Sequence, residues 1–133
     1  MPVRHFPGRS LKETRSVPQS YLIRGTKTIF FCGDSGLTPD FQEIGRKYSI
    51  DLAFLPIGHY RPASFRRGHM SPEDALEAME MLRAKRVVPM HWGTFRLSLE
   101  PVEEPPRKFL GLLQQRGINP RARLLRPGEK IKI

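Results

Sequence analysis

Thr28-Ile29-Phe30-Phe31-Cys32-Gly33-Asp34-Ser35-Gly36-Leu37-Thr38-Pro39 is the stretch on which the fold turns. Its first five residues form a continuous β-favouring run, the pattern of a strand covered on both faces. Gly33-Asp34-Ser35-Gly36 then reads as a tight corner, and Thr38 as the cap of a helix opened by Pro39. Phe41, Ile44 and Tyr48 recur at helical spacing along one side of that helix.

The same succession returns twice. Leu52-Ala53-Phe54-Leu55-Pro56-Ile57 is an apolar strand that stops at Gly58-His59-Tyr60. A basic loop with Arg61, Arg66, Arg67 and His69 follows, and then a helix with Ser71 as N-cap and Pro72 in its first turn. Asp74 stands where the acid of a capping box belongs. The third unit is Arg86-Val87-Val88-Pro89-Met90, stopping at His91-Trp92-Gly93-Thr94, and its helix carries Phe109, Leu110, Leu112 and Leu113 before Gly117. On the near side, Ser20 to Arg24 reads as a strand hairpinned to 28–32 through Gly25. On the far side, residues 118–133 read as closing strands (Leu124-Leu125 and Ile131–Ile133) or as a tail. Alternating strands and helices imply an α/β class with helices layered on a sheet. In such sheets ligands gather beyond the carboxyl ends of the strands. Asp34, His59 and His91 all fall at such ends.

The 133 residues suit one domain. No apolar run approaches the ~18–20 residues of a membrane span, and Met1-Pro2-Val3-Arg4-His5 lacks the apolar core of a signal peptide. One cysteine, Cys32, excludes an internal disulfide framework and suits a reducing, cytoplasmic compartment. The formal charge is +10, with the basic excess in residues 1–33 and 86–133 around an acidic stretch at 34–60. Such a balance favours anionic partners, namely phosphoesters, nucleic acid or an anionic lipid surface, or serves solubility alone. Nucleic acid ranks last, because no basic helix or aromatic-basic interleaving occurs.

Taken singly, the polar residues leave their roles open. Asp34 is either a carboxylate aimed at a metal or the side chain of an Asx-turn. His91 is either a ligand or a satisfied strand-end residue, and His5 lies in a basic, loop-like start. Carboxylate and neutral imidazole together are the donors that zinc and similar ions take. Cys32 reads as a buried strand residue. Glu100, Glu103 and Glu104 read as a solvated acidic loop.

Five segments in order carry a resemblance: Arg4-His5-Phe6-Pro7-Gly8-Arg9, Gly33-Asp34-Ser35-Gly36, Leu55-Pro56-Ile57-Gly58-His59-Tyr60, His69-Met70-Ser71-Pro72-Glu73-Asp74-Ala75 and Met90-His91-Trp92-Gly93-Thr94-Phe95. Together they resemble the carboxyl-terminal half of a metallo-β-lactamase-fold hydrolase. The branch they are most similar to contains N-acyl-phosphatidylethanolamine-hydrolysing phospholipase D. The resemblance implies half of an αββα sandwich, a mixed sheet with three helices on one face. It implies that His5 completes a first metal site, that Asp34 bridges two zinc ions and that His91 completes the second site. Asp34 and His69 would then take part in catalysis, His69 touching substrate phosphate or orienting a neighbour. His59, Tyr60, Arg61, Arg66, Arg67 and Trp92 are the candidate substrate-contacting residues, with Trp92 packed at the rim.

The family's His-x-His-x-Asp-His segment does not occur in these residues; no two of the four histidines (5, 59, 69 and 91) are separated by a single residue. The chain is therefore expected to be a zinc-dependent hydrolase of phosphodiesters or phospholipids that is incomplete without an amino-terminal half. The alternative is a non-catalytic half-fold that binds or assembles through its open sheet face. Phe30, Cys32, Leu52, Phe54 and Val87 are the candidates for that face, which a complementary half or a second copy would cover.

Overall fold

The computed structural model describes residues 19–118 and 121–133; His5 lies outside them. Strand β1 (Tyr21–Arg24) turns at Gly25 into β2 (Thr28–Phe31). Helix α1 (Asp40–Lys47), β3 (Leu52–Pro56), a 3-10 turn at Ala63–Arg67, α2 (Pro72–Met81), β4 (Arg86–Met90) and α3 (Glu104–Arg116) follow. The sheet order is β1-β2-β3-β4. The hairpin pair β1/β2 is antiparallel, while β2, β3 and β4 run parallel. Helix α2 packs on β3 and β4 and touches α1 on one side and α3 on the other, which sets the three helices in one layer. The expected α/β half-sandwich forms.

Parallel strands need crossovers, and here α1 and α2 supply them. The start of α2 is written fully in its local sequence and that of α1 in part. The α1 N-cap is Pro39, one residue beyond Thr38, and has no side-chain capping bond of its own. Thr38 Oγ1 accepts the Asp40 N–H at 3.4 Å. At α2 the Ser71 hydroxyl accepts the Asp74 N–H at 3.3 Å, and the Asp74 carboxylate accepts the Ser71 N–H at 3.0 Å. Such reciprocal capping satisfies donors that the first helical turn leaves open and contributes about 1 kcal/mol.

The register decides which apolar residues meet the helices. Phe30 pairs with Ala53, and Ala53 with Val87, so these side chains share one face with Cys32 and Leu55. That face is the core, packed against Phe41, Met79, Leu82 and Phe109. The candidates for the open face thus need correction. Phe30, Cys32 and Val87 are buried under the helices, whereas Leu52 does lie on the open face with Phe54, two residues on, and is covered there by its neighbours. The opposite face is carried at its β1 edge by Tyr21, Ile23 and Phe31, which are 57%, 57% and 39% exposed, with Phe54 beside Phe31. The physical reason is the two-residue period of a strand. Phe30 and Leu52 cannot share a face, because Leu52 stands opposite Ile29.

The closing strands do not form. Residues 121–133 make a single parallel bridge, Val87 to Ala122, with the Arg123 N–H bonded to the Val87 carbonyl at 3.0 Å. A parallel ladder continued along this edge of β4 would next draw on the N–H of residue 89. Pro89 has none.

Candidate functional site

Three parallel strands end at one rim of the sheet, and the polypeptide places a polar side chain just past each end. Beyond β2 the chain turns through Gly33 at φ 70°, a conformation costly for a residue with a Cβ, and presents Asp34. Beyond β3 comes His59 and beyond β4 comes His91; both hold left-handed backbone angles, φ 65° and 59°. The two loops lean together, since the Ile57 N–H donates to the Met90 carbonyl at 3.0 Å. Strained backbone of this kind costs on the order of 1 kcal/mol per residue and concentrates at functional sites.

His69 arrives from a different direction. Arg66 and Ser71 flank it in the chain, and both are tied to the same carboxylate: the Arg66 guanidinium forms an ion pair with Asp74, and the Ser71 N–H bonds to it. The loop is thereby closed over the start of α2. Burial works to raise the Asp74 carboxyl, but the bonds from Arg66 and Ser71 outweigh it and hold the group below the usual carboxylate range.

The result is a compact polar cluster. Asp34 Oδ1 lies 2.9 Å from His69 Nδ1, and Asp34 Oδ2 lies 3.4 Å from His91 Nε2. The His59 and His91 rings meet edge to face with centroids 4.6 Å apart, and the His69 ring is 5.9 Å from His59 and 6.0 Å from His91. One ring nitrogen from each of His59, His69 and His91 lies within 4.8 Å of the others. Imidazole nitrogen and carboxylate oxygen are the donors of a zinc-type cation, so this set fits such an ion. Beside it opens a cavity of about 330 Å³ lined by His59, His91, Trp92, Thr94, Phe95 and Leu97. Trp92 anchors its wall by donating Nε1–H to the Pro89 carbonyl at 3.3 Å.

The other candidates lie apart from the ring cluster. Tyr60 donates its hydroxyl to Glu104 at 2.6 Å; burial and then that bond push its ionisation well above the ordinary tyrosine value. Arg61 forms an ion pair with Glu104 at 2.9 Å, and Arg66 is engaged with Asp74. Tyr60, Arg61 and Arg66 line a second groove of about 540 Å³ together with Ser71, Glu73 and Lys108. Arg67 is exposed on the 3-10 turn.

Glu100 is the residue that the sequence undervalues. It is 3% exposed rather than solvated, and its carboxylate accepts the Tyr60 N–H at 3.2 Å and the Arg61 N–H at 3.1 Å. Burial works against its charge, but the hydrogen bonds prevail and keep the carboxyl below its ordinary value. Glu100 therefore grips the loop that carries His59. Only the acidic character of residues 100–104 hinted at it. Cys32 is buried as expected; burial first, and the Asp34 charge second, push its thiol up to about 12.

Residues 1–92 match the Beta-lactamase superfamily domain. A UPF0173 metal-dependent hydrolase of Geobacillus thermodenitrificans is 46% identical over 107 residues, covering 80% of this chain and 41% of that protein. One from Desulforamulus reducens is 42% identical over 117 residues, covering 87% of this chain and 46% of that protein. Among solved structures, a metallo hydrolase of the hyperthermophilic archaeon Ignicoccus hospitalis aligns at 30% identity with a TM-score of 0.70, over 98% of this chain and 49% of that one. The chain thus spans less than half the length of each of these relatives. By this match over residues 1–92, more than half of its length, the chain belongs to the beta-lactamase superfamily.

Proposed function

We propose that this chain supplies the Asp34–His91 side of a zinc-dependent hydrolytic site acting on phosphodiesters, phospholipids included, and that an amino-terminal half supplies the rest. The observation that carries the reading is the Asp34 carboxylate lying within 3.4 Å of His91 and 2.9 Å of His69 at the common strand rim. Asp34, His91 and His5 would hold the metal. When bound, the ion provides Lewis-acid polarisation of the scissile centre and a water acidified towards neutrality. His69 orients Asp34 through Nδ1. Trp92, Phe95 and Leu97 offer apolar contact beside the rings, and the neighbouring groove holds Arg61 and Lys108, whose pairing with Glu104 and Glu73 a phosphate would have to displace. The apolar strip Tyr21, Ile23 and Phe31 fits the complementary half, which would bury it against a second sheet.

The test is reconstitution. The chain is combined with the amino-terminal part of one of its metal-dependent relatives, and hydrolysis of bis(p-nitrophenyl) phosphate is followed with added Zn²⁺. Turnover that needs both pieces, and that vanishes with a chelator and in Asp34→Ala and His91→Ala, is the expected result. Full turnover in both variants would overturn the assignment.

A further inference from the structure

We infer that His59, His69 and His91 form a three-imidazole cation site of their own, so that these residues hold one divalent transition-metal ion without donors from elsewhere. The inference deepens the reading above, because it shares His91 with it, and it gives His59 and His69 a role as ligands. Tetrahedral coordination with metal–nitrogen bonds of ~2.0–2.1 Å places ligand nitrogens about 3.3 Å apart. The three ring nitrogens already lie within 4.8 Å of one another, so side-chain rotations of modest size close the remaining gap.

Three further features point the same way. His59 and His91 both occupy left-handed backbone at the ends of adjacent strands, which fixes where their rings start. Asp34 contacts a ring nitrogen of His69 and one of His91. A carboxylate bonded to a ligating imidazole sets its orientation and raises its basicity. His59 is held from behind, since Glu100 takes the backbone N–H groups of the next two residues. Three imidazoles with an adjoining carboxylate match zinc-type ions rather than calcium or magnesium, which prefer oxygen shells.

Titration of the 133-residue chain with Co²⁺, followed by visible d–d absorption, tests the inference. One equivalent with a tetrahedral spectrum is expected, and His59→Ala and His69→Ala should each weaken binding by about 10-fold or more, with the far-UV circular dichroism of the apo proteins unchanged. As a check that needs no variant, Zn²⁺ should shift the side-chain ¹⁵N resonances of all three histidines in the wild-type chain. If His59→Ala and His69→Ala bind Co²⁺ like wild type while Asp34→Ala and His91→Ala lose it, the three-imidazole set is overturned and the Asp34–His91 reading stands. A wild-type chain that takes up no Co²⁺ also overturns the set, and leaves that reading to the reconstitution assay.

Discussion

The backbone of Gly58 runs so close to His91 that a Cβ built on Gly58 would stand 2.3 Å from the His91 carbonyl oxygen. No side chain fits in that gap without moving one strand end away from the other. Gly58→Ala should therefore cost about 1–3 kcal/mol by overpacking, read by chemical denaturation. It should also shift the ring resonances of both His59 and His91. Unchanged stability and unchanged rings would show that the two loops are independent.

Glu100 links a buried charge to the same loop. Glu100→Ala leaves the Tyr60 and Arg61 N–H groups without their acceptor, at a cost of about 1–3 kcal/mol. Because the folded carboxyl titrates below its ordinary value, its stabilisation is complete above the unfolded glutamate pKa of about 4.3. It fades as pH falls through the folded value. The gap in unfolding free energy between wild type and Glu100→Gln should accordingly be largest near pH 7 and narrow below about pH 4. A gap independent of pH would contradict this role.

Adjacent phenylalanines should behave oppositely. Phe30 is fully buried and meets Phe41 edge to face at 6.0 Å, whereas Phe31 is 39% exposed. Phe30→Ala should cost about 3–5 kcal/mol, and Phe31→Ala well under half of that. Equal losses would mean that the strand register is wrong.

The Cys32 thiol, raised to about 12, is almost wholly protonated at neutral pH, and the thiolate is the reactive form. Iodoacetamide at pH 8 should leave the native chain unmodified and label it promptly in denaturant, as followed by mass spectrometry. Rapid labelling of the native chain would show that the β2 end opens readily.

Much of the framework is legible along the chain. The three strand–corner–helix units and the Ser71–Asp74 capping box depend on residues close in sequence, and the structure has them. So does the arrival of Asp34, His59 and His91 at strand ends. Other features were hidden from a linear reading, among them the burial of Glu100, the engagement of Arg66 with Asp74 and the face assigned to Phe30.

The amino-acid order alone determined the α/β layering, the helix starts and the identity of the polar residues at the rim. Local periodicity, capping and turn chemistry act between neighbours a few residues apart. Tertiary structure alone decided which sheet face meets the helices, that the tail meets β4 at a single bridge, and that His69 reaches Asp34. Those outcomes depend on strand register and on where loops return. They pair residues such as Asp34 and His69, or Tyr60 and Glu100, whose separation along the chain leaves no local pattern to read.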